Sequence, residues 1–332
     1  MLKKLLIFLI IFLSCEDKRA ALGADNEIRV ICSEVDKEIV KEYLSQIFTD
    51  TIFNPEPEPF YYLRFSLPET FPDLKSQAQV IVCAINQESS NNGQKLMEML
   101  LTPEQIKHTI NQDPVIVGKD VYAKKQIFAI INARSKNHLM QTVKVKKVLF
   151  NKIFREQFIS RQYKTLLGNY RNTDLEDSLS MVYPWTISIP WGWEIIKNDK
   201  ERNFVWLGKE MPFQWIGIGW REGKLVNDEL SIGSYIYKWP QNNYTNIQLN
   251  DYQFQLDRTN YKSSNAWRAR GIWETVDKKE AKGGPFQSYV FYDKNLDKTY
   301  HLNYLIHHPG KDKSIYMRQM DMIVKSFKFN SK

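Results

Sequence analysis

The chain has 332 residues, 43% hydrophobic and 25% charged, with 46 lysines and arginines against 38 acids, a net charge of +8 with histidine neutral. That length suffices for about two folded domains, and the charge excess is too mild to mark a nucleic-acid binder, so no nucleic-acid partner is expected. Three cysteines, none at a histidine spacing that suits zinc, predict no metal site and no cofactor.

The amino terminus sets the expected address. Lys3 and Lys4 precede an uninterrupted apolar run, Leu5 to Leu13. The run is too short for a hydrocarbon core, which takes about 20 helical residues, but it suits a secretory signal segment. Phe12-Leu13-Ser14-Cys15 then resembles a bacterial lipobox, in which the cysteine is acylated and the chain is cut before it. Phe12 departs from the Leu, Val or Ile preferred at its position. Residues 1–14 are therefore expected to be a lipoprotein signal peptide, Cys15 the lipidation site and 15–26 a tether. Loss of Lys3 and Lys4 lowers the charge from +8 to +6 (8 − 2). Each buried methylene contributes roughly 0.8 kcal/mol, so several acyl chains hold firmly where one binds marginally. Glu16 and Asp17 resemble the acidic export signals of some Bacteroidetes lipoproteins. The expected location is the cell envelope, at the outer membrane, with the face left open.

Residues 27–166 are expected to form an N-terminal α+β domain. "EIRVICSE" reads as a buried strand, and Val35, Ile39, Tyr43 and Ile47 recur at helical spacing over 35–48. "NPEPEPF" is a loop or edge because proline cannot donate to a ladder. "AQVIVCAI", "PVIVG" and "QIFAIINA" read as further strands, and Thr102-Pro103-Glu104-Gln105 as a helix start. Cys32 and Cys83 end two of these strands, and a disulfide or two buried thiols both fit. A long helix from Ser135 to about 165 places Leu139, Val143, Phe150, Phe154 and Phe158 inward. Its basic side chains, Lys144, Lys147, Lys152 and Arg155 among them, fit a solvated outer face better than a surface lying on anionic lipid.

All nine tryptophans lie between Trp185 and Trp273, which argues for a second core. Residues 167–183 are expected to be a linker, with a capping box at Thr173 to Glu176, and 184–330 a Trp-rich domain. There the period changes to two: Trp185, Ile187, Ile189, Trp191 and Trp193 alternate toward a bend at Pro190-Trp191-Gly192. "NFVWLGK", "QWIGIGW", "AWRARGIWETV", "FQSYVFYD" and "TYHLNYLIH" read as strands, with helices at 228–239 and 314–326. The final helix is expected to present Ile315, Met322 and Ile323. The fold class is thus α+β: two domains, an N-terminal α/β-layered one and a C-terminal antiparallel sheet with packed helices.

Chemistry is sparse. "GIGWRE" lacks the third glycine of a phosphate loop, and Gly217 and Gly219 read as places where another backbone packs close. Asp293 to Asp297 lacks the glycine of a calcium loop. His307 and His308 would point to opposite strand faces. No catalytic residue is expected. Indole faces stack on sugar rings, yet tryptophans alternating along strands usually fill a core. Trp191, at its bend, is the expected exposed contact.

"NFVWLGKE", "RGIWETV", "GGPFQSYVFYD" and "YMRQMDMIVKSFKF", in that order behind a lipoprotein signal, resemble the Bacteroidetes lipoprotein family known as domain of unknown function 4837. The resemblance implies no activity, cofactor or catalytic residue. Gly283-Gly284-Pro285, followed by Phe286, reads as a structural hairpin, with a ligand loop as the alternative. The sheet closed by a terminal helix is similar to the PsbP-like α/β/α sandwich. The expected function is a membrane-anchored envelope lipoprotein that binds or scaffolds an envelope protein or glycan without catalysis. The alternative is an envelope hydrolase acting on glycan or peptide, which would need Glu274, Asp277 and His301 to converge.

Overall fold

In the computed structural model, residues 18–330 are described apart from 55, 86, 87, 89, 169, 226 and 227. The signal peptide, Cys15 and the start of the tether lie outside the described residues. The chain divides into two compact units, residues 1–48 with 61–158 and residues 49–60 with 159–332. The seam thus falls at 158/159, inside a helix, and 167–183 is part of the second unit. No helix among the described residues is long and apolar enough to cross a membrane.

In chain order the elements up to the seam are β1 Glu27–Ile31, α1 Lys37–Ile47, β2 Thr51–Asn54, β3 Glu56–Pro59, β4 Tyr62–Ser66, α2 Phe71–Leu74, β5 Gln79–Ile85, α3 Asn92–Leu100, α4 Pro103–Asn111, β6 Val115–Lys119, β7 Ile127–Ala133, α5 Lys136–Met140 and α6 Val143–Leu166. The first unit's sheet runs β4-β1-β5-β7-β6, parallel except for β6 against β7. β5 and β7 are buried along their whole length, as expected of parallel strands covered on both faces. α4 starts where expected, and Thr102 and Gln105 close a capping box there. α1 buries Val40, Tyr43, Leu44 and Ile47, whereas Val35 precedes the helix and is exposed. The long helix is broken after Met140, but Leu139, Phe150, Phe154 and Phe158 are buried as expected. Cys32 and Cys83 are buried free thiols. Burial, with Asp36 and Glu34 nearby, pushes the Cys32 thiol up to about 12.

The second unit takes the β2–β3 hairpin and continues with α7 Thr173–Val182, β8 Trp185–Thr186, β9 Glu194–Asp199, β10 Phe204–Glu210, β11 Phe213–Glu222, α8 Glu229–Asn243, β12 Ile247–Tyr261, β13 Ser264–Thr275, β14 Gly283–Asp293, β15 Lys298–His307, α9 Ser314–Ser326 and β16 Lys328–Phe329. Its antiparallel sheet has the order β12-β13-β14-β15-β11-β10-β9. β12 and β9 were not among the expected strands: β9 carries no clean alternation, and β12 alternates in two stretches, Ile247–Asn250 and Tyr252–Asp257, that are out of phase.

Each face of the sheet has its own core. On one face, Ile232, Ile236 and Trp239 of α8 pack over Phe204, Trp206, Trp215, Trp273 and Leu305. On the other, Met317, Met320, Ile323 and Val324 of α9 join Leu179 of α7 with Trp185, Tyr300 and Phe327. Fully buried rings such as Trp185 and Trp273 each remove about 150–250 Å² from water, roughly 4–6 kcal/mol at about 25 cal/mol per Å². The helix–sheet–helix layering follows from this two-sided burial.

Three local expectations shift. α7 is capped by Asn172, whose side chain accepts from Leu175 N, one residue before Thr173. Asn172 nitrogen itself donates to Ile189 oxygen, and Leu179 joins the core, so 167–183 is more than a linker. α9 buries Met317 and Met320 in place of Ile315 and Met322. Its N-cap side chain makes no capping bond; instead Glu58 on β3 accepts from the backbone N–H of Lys313 and, at 3.0 Å, of Ser314. A carboxylate at a helix N-terminus satisfies orphan donors and meets the positive end of the helix dipole.

Candidate functional site

Trp191 is 77% exposed. Its backbone N–H donates to Tyr170 oxygen at 2.9 Å, and residues 170–172 run antiparallel to 189–191. Tyr170 and Trp191 are therefore cross-strand neighbours sharing one face, and Tyr170 is also largely exposed. Tyr170 has no sequence signal of its own; only the pairing reveals it.

Gly283, Gly284, Pro285 and Phe286 do not form a turn. They open β14 and pair with β13, with Gly284 opposite Trp273 and Pro285 opposite Ile272; the turn lies before them, around Lys278–Glu280. A Cβ at Gly284 would sit 2.1 Å from Ile306 oxygen. That carbonyl accepts from the Trp273 indole at 3.0 Å. Gly284, Pro285 and Phe286 are buried. Their arrangement seals the sheet against Trp273.

The hydrolase residues do not converge. Glu274 accepts from Gln248 and Asn250, and Asp277 caps a short 3-10 turn. His301 is two strands away from β13, level with Trp267 through Val290, and Glu274 lies seven residues further along, about 23 Å at about 3.3 Å per residue. His307 hydrogen-bonds Gly283, and His308 packs on Tyr316. Among the described residues no group of three or more His, Cys, Asp or Glu could hold a metal ion.

A cleft of about 560 Å³ opens in the second unit between the β9–β10 turn, the end of β11 and the last turns of α8. Asp228 caps α8 by accepting from Ser231 N at 2.9 Å, and Pro240 sits inside its C-terminal part. The helix lies tight on the sheet because Gly217 and Gly219 leave a hollow. A Cβ at Gly217 would meet the Tyr244 hydroxyl at 2.2 Å, and one at Gly219 would meet the Trp239 indole at 2.9 Å. The glycines thus admit aromatic side chains, and not the backbone expected from "GIGWRE". Two glycines on one strand face signal that something large lies over it, and Trp239 is the ring that follows on the next helix.

Arg202 and Arg221 stand at the cleft with Glu201, Tyr235, Trp239 and three amides of the 241–243 segment. Arg202 donates to Asn242 oxygen at 2.9 Å and approaches Asp199 at 3.8 Å. The Arg202 backbone N–H, with Lys197 behind it, holds the Asp199 carboxyl below the usual range. Arg221 lies over the Tyr235 ring, 5.7 Å from its centre, and forms no ion pair among the described residues. Such a guanidinium retains its full set of donors for a carboxylate or phosphate. Of these positions only Arg221 falls in a stretch the sequence singled out, "GIGWRE", and it was given no role there.

Behind the cleft wall lies His301, 1% exposed. Its ring is 4.1 Å from that of Trp239 and 5.5 Å from that of Tyr235. Neither ring nitrogen has a partner among the described residues. Burial pushes its pKa down to about 3, so the imidazole is neutral.

Residues 172–326 match a protein family described as a domain of unknown function, DUF4837. Among curated proteins none matches the chain. Among solved structures, the chain is similar to the Saccharomyces cerevisiae Ran-binding protein Mog1p, at 10% identity over 44% of this chain and 90% of that one, with a TM-score of 0.31. It is also similar to LpqN, involved in cell envelope biogenesis of Mycobacterium tuberculosis, at 7% identity over 44% of this chain and 83% of that one, with a TM-score of 0.28.

Proposed function

We propose that the protein is a lipid-anchored cell-envelope protein, tethered through Cys15, that binds an acidic glycan in the cleft of its second unit without catalysing a reaction on it. The observation that carries this reading is the pair of arginines, Arg202 and Arg221, at one cleft whose described lining residues include one carboxylate, Glu201. Glycoside hydrolysis ordinarily uses two carboxylates flanking the scissile bond, and peptide hydrolysis by a side-chain nucleophile needs that nucleophile beside a base. The described residues that line the cleft include no serine, cysteine or histidine. Amides and two guanidiniums suit hydroxyl and carboxylate groups of a sugar chain.

The test is calorimetric titration with uronic-acid oligosaccharides and with neutral oligosaccharides of the same length. Acidic chains are expected to bind and neutral ones not. Arg221→Gln is expected to weaken binding about tenfold or more, since a hydrogen bond to a charged group contributes about 1.5–3 kcal/mol. Equal binding of both sugars, or of wild type and variant, refutes the cleft as an acidic-glycan site. Tethering is tested separately by fractionating cells that express Cys15→Ala, which is expected to leave the membrane fraction.

A further inference from the structure

We propose that the outer face of the first four turns of α6 docks on an anionic lipid surface. Phe150, Phe154 and Phe158 point inward and are 0–1% exposed. On the opposite side Val145, Val148 and Leu149 are 68%, 72% and 37% exposed, interleaved with exposed Lys144, Lys152 and Arg155. At 100° per residue these six fall within one face about 140° wide. None of the three cations has an ion-pair or hydrogen-bond partner among the described residues. The acid on this face, Glu156, is engaged by Lys119 at 3.8 Å.

A solvated helix face needs charges but gains nothing from three adjacent aliphatic side chains held in water. A nucleic-acid backbone would use the cations and leave the aliphatics idle. An anionic membrane uses both: cations meet headgroup charges, and valine and leucine enter the boundary with the acyl chains. This chemistry belongs to the helix itself and is independent of the anchor and of the cleft.

The test is co-sedimentation with vesicles of phosphatidylcholine alone and of phosphatidylcholine mixed with phosphatidylglycerol. The protein lacks residues 1–15, so neither an acyl chain nor the apolar leader contributes. Binding is expected to the mixed vesicles only and to weaken with salt. A triple variant, Lys144→Gln, Lys152→Gln and Arg155→Gln, is expected to bind about a hundredfold less tightly, at about fivefold per charge. A double variant, Val145→Ser and Val148→Ser, is expected to lose affinity severalfold while keeping its charge. All five positions are at the surface, and circular dichroism checks the fold. Absence of binding, equal binding to both vesicle types, or full binding by either variant overturns the proposal. Full binding by the double variant alone would reduce the face to a general polyanion contact.

Discussion

His301 offers the sharpest probe of the second unit. Its imidazole is buried between Trp239, Tyr235 and the sheet, with both ring nitrogens unpartnered among the described residues. Burial holds the folded-state pKa near 3 against an ordinary 6.5. The unfolded chain therefore takes up the proton first. Above pH 6.5 neither state is charged and the residue adds no pH dependence; as pH falls from 6.5 toward 3, stability is lost at about 1.4 kcal/mol per unit. Between pH 7 and pH 5 the loss from this group is about 2 kcal/mol. His301→Leu removes the titration and replaces an unsatisfied polar ring with an apolar side chain, which is neutral or stabilising at pH 7 by up to about 1–3 kcal/mol. Because all nine tryptophans lie in 185–273, inside the second unit, urea unfolding followed by tryptophan fluorescence reports this unit alone. The variant is expected to lose about 2 kcal/mol less than wild type between pH 7 and pH 5. Identical pH slopes in the two proteins, or a variant destabilised by more than about 2 kcal/mol at pH 7, would refute the reasoning by showing that the ring is partnered or solvated.

Gly284→Ala forces a methyl group onto Ile306 oxygen and disturbs the Trp273 bond to that carbonyl; a destabilisation of about 3 kcal/mol is expected from thermal unfolding, and an unchanged midpoint would show that the strand edge yields. Glu58→Ala strips the N-terminus of α9 of its carboxylate cap and is expected to cost about 2 kcal/mol, read from the same tryptophan transition; exchange protection at Lys313 and Ser314 should fall with it. Cys32, with its thiol raised to about 12, holds about one thiolate per ten thousand molecules at pH 8, and burial raises Cys83 as well. Both are expected to resist a disulfide reagent until urea unfolds the first unit. Rapid labelling of the native protein would contradict that burial.

Much of the fold was legible because it rests on short-range pattern. β5 and β7 declared themselves as continuous apolar runs, α4 by its cap and first-turn proline, and β10, β11, β13, β14 and β15 by aromatic alternation. The misses come from long-range geometry. β12 breaks its register between Asn250 and Gln255, so Ile247 and Leu249 fall out of phase with Phe254 and Leu256 and no single period of two runs through it. The Gly-Gly-Pro stretch has turn chemistry yet serves a strand, because Ile306 oxygen and the Trp273 indole close the space beside it. The cleft was invisible for the same reason: Arg202, Arg221 and Trp239 lie on three separate elements. Only the glycine pair at 217 and 219 hinted that a ring would lie over that face.

The path of the polypeptide gives the hairpin a temporal role. The chain leaves the first unit after Phe48, returns at Tyr61, and leaves again after Phe158. During synthesis Glu58 emerges 255 residues ahead of the helix end it caps, a wait of about 13–50 s at about 5–20 residues per second. Throughout that interval the first unit can close while its own insertion stays unpaired. No single cut divides the gene into two complete folding modules: a fragment beginning at residue 159 lacks the cap of α9, and one ending at 158 carries a hairpin with nothing to hold. Supplying residues 49–60 as a separate peptide to the 159–332 fragment would then act as complementation, the two pieces completing a module that translation delivers in instalments.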